Sequence, residues 1–146
     1  MNWEHKIFNN LTADEVYSIL KLRQEVFVVE QNCPYLDCDD YDQESLHLIG
    51  KSNNDIIVYA RILPPGLYYP EVSVGRVVTH PTKRGLGLGR EAMVRAMNIV
   101  EMEYGKISIR IMAQTYLSKF YQSFNFEMSG VEFLEDGIPH IEMIRL

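Results

Sequence analysis

Between a β-branched run and an amphipathic segment the chain reads Arg84-Gly85-Leu86-Gly87-Leu88-Gly89. Alternate glycines cost chain entropy, so a fold that keeps three of them needs their backbone freedom or the space left by their missing side chains. The preceding Val72 to Thr79 is the most β-branched stretch of the sequence and reads as a buried central strand, ended by Pro81. From about Gly89 to Tyr104, Ala92, Met93, Ala96, Met97 and Val100 share one helical face. A strand passing through glycines into a helix N-terminus is a device for anions. The first turn of the helix offers unpaired N–H groups and the positive end of the dipole, and glycines let a phosphate reach the backbone. Arg84 adds a full positive charge at the loop entrance.

Three kinds of phosphate loop share these features. A nucleotide P-loop ends in Gly-Lys-Ser/Thr, which Gly89-Arg90-Glu91 does not supply. A dinucleotide fingerprint is formally matched by Gly87-x-Gly89-x-x-Ala92, but the next strand ends at Met112-Ala113-Gln114 without the carboxylate that would hold a ribose. The third kind fits best: Val77-Val78-Thr79-His80-Pro81-Thr82-Lys83, followed by the loop, resembles the cofactor motif of the GNAT superfamily of N-acetyltransferases. That motif is a strand, a proline, then Arg/Gln-x-x-Gly-x-Gly/Ala, with Arg84, Gly87 and Gly89 at the motif positions.

The resemblance implies that the loop from Arg84 through Gly85, Leu86, Gly87, Leu88 and Gly89 holds the pyrophosphate of acetyl-CoA, the cosubstrate. It implies too that the backbone of Val77, Val78 and Thr79 pairs with the pantetheine arm. Acyl transfer also needs a donor on the thioester carbonyl, and a backbone N–H of this strand, expected at Val78, supplies it. Ala113-Gln114, Leu117, Phe120-Tyr121 and Phe124-Asn125-Phe126 look like a second motif of the superfamily. It places Gln114 and Tyr121 on the cofactor and makes Tyr121 the acid that protonates the leaving thiolate. Asn125 stands where glycine is usual, and asparagine is the next-best residue at positive φ. Leu22 to Tyr35, with Asp39, Asp42 and His47, then Tyr59 to Leu63, Gly75-Arg76-Val77 and Asp136 to His140, look like the ElaA-like branch. That resemblance covers nearly the whole chain and implies no particular acceptor.

The rest of the chain fits one domain over residues 1–146, with no repeat or linker. Trp3 to Phe8 reads as a strand, and Thr12-Ala13-Asp14-Glu15 as a capping box opening a helix that runs to about Phe27. Strands follow at Leu46 to Gly50 and Ile56 to Leu63, around the turn Ser52 to Asp55, then Val72 to Thr79. After the long helix come a strand at Ile107 to Met112, a helix at Tyr116 to Phe124, and strands at Phe126 to Leu134 and His140 to Leu146. The fold class is α/β, with a mixed and mostly antiparallel central sheet of about seven strands flanked by helices. Within the strands, alternation places Tyr59 with Arg61, and Val74 with Arg76 and Val78.

The net charge of −6 argues against a nucleic-acid partner. No apolar run reaches the roughly 18 residues of a membrane span, and Met1 to Lys6 lack the pattern of a secretion signal, so a cytoplasmic protein is expected, with a homodimer compatible. Cys33 and Cys38, with four scattered histidines, do not make a metal site. Acyl transfer to the amine of a small molecule or peptide needs a base, for which Glu30, His47 and His140 are candidates. His47, Arg61 and Arg76 are candidates for the acceptor side. The two arginines serve either as a grip on an acceptor anion or as partners of Glu25, Glu30 or Asp39. A silent acyl-CoA-sensing module and an acyl-homoserine-lactone-synthase-like enzyme remain alternatives.

Overall fold

The computed structural model describes residues 1–146. Strands β1 (Asn2–Ile7), β2 (Leu46–Ser52), β3 (Asp55–Leu63) and β4 (Ser73–Thr79) form an antiparallel sheet in that order. Strand β5 (Ile109–Gln114), β6 (Glu127–Met128), β7 (Phe133–Glu135) and β8 (Ile138–Arg145) form a second one, in which β8 pairs with the other three. The sheets meet at a single parallel bridge between Val72 and Ile109, where the Arg110 N–H donates to the Val72 carbonyl at 2.9 Å. Helices α1 (Ala13–Arg23), α2 (Leu88–Tyr104) and the short α3 (Ser118–Gln122) complete the mixed α/β architecture.

Local sequence sets most of these boundaries. Thr12 Oγ1 accepts from the Glu15 N–H at 3.1 Å and Glu15 Oε1 accepts from the Thr12 N–H at 2.9 Å, which closes the capping box at the start of α1. The β2–β3 turn uses Asn53 and Asn54, both at positive φ, which matches the strand twist of a two-residue hairpin. The stretch from Phe126 to Leu134 is not one strand. Gly130, at φ +99°, turns the chain there, so β6 and β7 are separate and the strands number eight rather than about seven.

Two apolar layers sandwich the first sheet. Ala92, Met93, Ala96, Ile99 and Val100 of α2 pack on Val58, Ala60, Ile62 and Val74, while Met97 stays half-buried at the edge. Ile19, Leu22 and Val26 pack on the opposite face against Ile49, Tyr59 and Val78. Each fully buried aliphatic side chain contributes about 1.5–3 kcal/mol, which clamps both helices onto β3 and β4. The chain leaves α1 directly into a π-helical stretch, Gln24–Glu30. That wider turn is the sort of irregularity found at functional sites.

Candidate active site

Beyond the Val72–Ile109 bridge, β4 and β5 diverge. They line a cleft of about 810 Å³, with Val77 and Thr79 on one wall and Ile111 and Ala113 on the other. A central strand whose outer edge has no neighbour leaves its N–H and C=O groups open to a ligand that behaves like an extra strand.

Which amides face that ligand follows from the register. The His80 N–H donates to the Ile57 carbonyl at 2.7 Å, with Val58 opposite Thr79 and Tyr59 opposite Val78. Hydrogen-bonded and open pairs alternate along an antiparallel ladder, so Tyr59 and Val78 are a bonded pair and the Val78 amide points at β3. The amides of Val77 and Thr79 point into the cleft. The Val78 amide, expected to face a bound carbonyl, is therefore taken up by β3, and the amides free to face the cleft are its neighbours on either side. The alternation that grouped Val74, Arg76 and Val78 also fails. Val74 packs on the α2 side and Val78 on the α1 side, because a bulge between Arg61–Gly75 and Tyr59–Val78 inserts one residue into β4.

The glycine loop lies at the end of β4. Gly85 (φ +82°) and Gly87 (φ +75°, the N-cap of α2) are in the left-handed region, so the turn itself accounts for them. Gly89 is different. It has no positive φ, and a Cβ there would meet only Thr79 Oγ1, at 3.9 Å. Nothing in the protein requires that glycine, and the open space beside it suits a phosphate on the first turn of a 17-residue helix.

Two further groups line the cleft with chemistry. Tyr121 is half-buried, its hydroxyl pushed up to about 12 by burial, so it is a protonated phenol at any physiological pH. His140 Nδ1 lies 2.7 Å from the Ile138 carbonyl, which can only accept; Nδ1 therefore carries a proton, and in the neutral ring the lone pair is on Nε2. Gln114 Nε2 donates to Gln31 Oε1 at 3.1 Å, tying the end of β5 to the segment after α1. Glu30 is held from across the cleft by Arg84, with contacts of 2.9 and 2.6 Å.

The model of a family described as acetyltransferase (GNAT) domain matches residues 13–146. The chain belongs to the GNAT acetyltransferase family. The protein ElaA of Escherichia coli is 36% identical over 147 residues, 99% of this chain and 96% of its own. Its crystal structure superposes with a TM-score of 0.92 over 100% of both chains. The crystal structure of an acyl-CoA N-acyltransferase from Pseudomonas aeruginosa, 37% identical, superposes at 0.95 and covers 99% of each chain. A UPF0039 protein of Synechocystis sp. is 41% identical over 145 residues, 99% of this chain and 94% of its own. The CoA-dependent acyl-homoserine lactone synthase BjaI, at 14% identity and a TM-score of 0.76, shares the fold alone.

On the acceptor side of this GNAT domain, the expected residues are committed elsewhere. His47 is 1% exposed, its Nε2–H donating to the Asp42 carbonyl at 2.8 Å and its Nδ1 accepting from the Tyr59 hydroxyl at 2.7 Å. Burial pushes its pKa down, so it is a neutral structural ring. Arg61 grips both oxygens of Asp39 at 2.8 Å and Asp42 at 2.9 Å. Arg76 binds Asp37 at 2.8 Å and Asp39 at 3.3 Å. Both guanidiniums line the cleft, but these carboxylates already neutralise them; Asp39 was an anticipated partner, and Glu25 and Glu30 are not partners of either.

The residue that the sequence reading passed over is Arg23. It is fully buried, with Nε on Asp37 at 2.7 Å and Nη1 on Asp42 at 2.8 Å. Its signal was present, since Arg23 falls within the apolar stripe of Ile19, Leu22 and Val26. Three arginines and three aspartates thus form one neutral network that anchors the loop after α1 to the sheet. No group of three or more His, Cys, Asp or Glu side chains is arranged to hold a metal, and no helix is long and apolar enough to cross a membrane.

Proposed function

We propose that this GNAT domain transfers an acetyl group from acetyl-CoA to an amine of a small molecule or peptide. The observation that carries the reading is the divergence of β4 and β5 into a cleft that ends at the glycine loop. The loop amides, the N-terminus of α2 and Arg84 suit a pyrophosphate, and the open edge of β4 suits the amides of a pantetheine arm. At the reacting end, the Val77 N–H hydrogen-bonds the thioester carbonyl and stabilises the negative charge that develops on its oxygen. His140 Nε2 accepts the proton that the attacking amine loses, and the Tyr121 hydroxyl gives a proton to the departing sulfur. The name of the Pseudomonas relative, an acyl-CoA N-acyltransferase, supports the same class of donor.

The direct test is a panel of amines and peptides, each assayed for CoA release from acetyl-CoA, with intact-mass analysis for self-acetylation. Acetylation of one class of amine at least about 100-fold above buffer hydrolysis is the expected result, the low end of what positioned acid–base catalysis supplies. Acetyl-CoA binding with no turnover on any amine would replace this reading with a silent acyl-CoA-binding module.

A further inference from the structure

We infer that Arg76 is a positioning residue: its ion pairs with Asp37 and Asp39 hold the left-handed bulge in β4 that frees the Val77 amide to face the cleft. What that amide meets rests on the acetyl-CoA reading above; the bulge and its pin do not.

The register carries the argument. Continued without interruption from Arg61–Gly75, the ladder would place Val77 opposite Tyr59, in the bonded position, and the Val77 N–H would be used by β3. The extra residue moves Val78 into that position and turns the Val77 N–H outward. The inserted residue is Arg76, at φ +52°. Bulges place glycine in this left-handed conformation because a Cβ is strained there, and strained backbone persists only where surrounding contacts over-determine it. Those contacts are present: Arg76 Nε donates to Asp37 Oδ1 at 2.8 Å, and Nη2 reaches the Asp37 carbonyl at 3.2 Å and Asp39 Oδ2 at 3.3 Å. The guanidinium also lies over the Tyr35 ring, 5.9 Å from its centroid. Asp37 is in turn fixed by buried Arg23 and by the Tyr35 hydroxyl at 2.9 Å. The pin therefore reaches from α1 to the middle of β4.

Amide hydrogen exchange, read by NMR at Val77 and Val78 in the free protein, tests the inference without any ligand. In the wild type, Val78 is protected and Val77 exchanges faster by about tenfold or more, the difference between a paired and an open amide. Arg76→Ala removes the pin but keeps the Cβ, so the bulge relaxes and protection passes to Val77. Arg76→Gly also removes the pin, but glycine is at ease at φ +52°, so Val77 stays open. Arg76→Ala failing to fold while Arg76→Gly folds is the same result in stronger form, since only Cβ strain separates the two. Wild-type-like exchange in Arg76→Ala, a protected Val77 in the wild type, or loss of the fold in both variants overturns the inference. Isotope-edited infrared spectra of bound [1-13C]acetyl-CoA add the functional readout. The carbonyl stretch falls to lower wavenumber with wild type and Arg76→Gly and returns toward its free value with Arg76→Ala. A wild type that binds no acetyl-CoA overturns the proposed function and leaves the exchange result standing.

Discussion

Arg84 donates to both carboxylate oxygens of Glu30, Nη1 to Oε2 at 2.9 Å and Nη2 to Oε1 at 2.6 Å, so the loop cation is held by an acid from across the cleft. Those hydrogen bonds also keep the Glu30 carboxyl below its usual range, which makes it a weaker proton acceptor than a free glutamate. A pyrophosphate and Glu30 then compete for one guanidinium. Glu30→Gln should bind CoA more tightly by about 2- to 5-fold, the span of an exposed ion pair, with the gain shrinking in high salt. Arg84→Ala should bind about tenfold more weakly. Calorimetric titration of both variants checks the pair, and a weakened Glu30→Gln would mean that Glu30 supports the cofactor rather than competing with it.

Tyr121→Phe keeps the ring that packs against Phe126, 6.1 Å between centroids, and removes only the hydroxyl. Turnover on an accepted amine should fall by about 100- to 10,000-fold with acetyl-CoA affinity little changed. An unchanged kcat at saturating substrate would leave Tyr121 as a packing aromatic.

His140→Gln should lower kcat by about 100-fold or more while leaving CoA affinity in place, since the proton acceptor is lost and the glycine loop is not. The tautomer matters here: the Ile138 carbonyl fixes the proton on Nδ1 and leaves Nε2 as the basic nitrogen. Equal kcat in the variant would move the base to a water or to the acceptor itself.

How far the sequence foretells these features depends on the range of the cause. The capping box at Thr12, the Asn53-Asn54 turn and the glycine loop arise from neighbours a few residues apart, and each lies where local chemistry places it. The β4 bulge was hidden because its left-handed residue is arginine, stabilised by Asp37 and Asp39 from a distant loop. The Glu30–Arg84 and Arg23–Asp42 pairs likewise join segments that only the folded chain brings together. Gly130 carried a local signal for the β6–β7 break, and a β-rich flank concealed it.

Glu15 gives the fold an acid-sensitive anchor. Burial pushes its carboxyl up, but hydrogen bonds from Lys51, the Thr12 amide and Lys6 outweigh this and bring it to about 2, from 4.5. A depressed carboxylate stabilises the fold above its unfolded pKa, and the contribution drains away as pH falls from about 4.5 toward 2. Glu15→Gln keeps a capping-box side chain but loses the charge, so it should cost about 1–3 kcal/mol at pH 7 and less at pH 3. Urea unfolding of both proteins across that range measures the difference; parallel stability curves would remove Glu15 from the account of acid sensitivity.

Gly89 bears most directly on the central claim, because nothing within the protein requires a glycine there. Isothermal titration of wild type and Gly89→Val with acetyl-CoA, NAD and ATP, alongside circular dichroism, is the decisive measurement. The wild type should bind acetyl-CoA and neither nucleotide, and the folded variant should lose about tenfold or more in affinity through the side chain placed where a phosphate approaches. A wild type that binds no acetyl-CoA at millimolar concentration, or a folded Gly89→Val that binds it as well as the wild type, would contradict the assignment of the cleft.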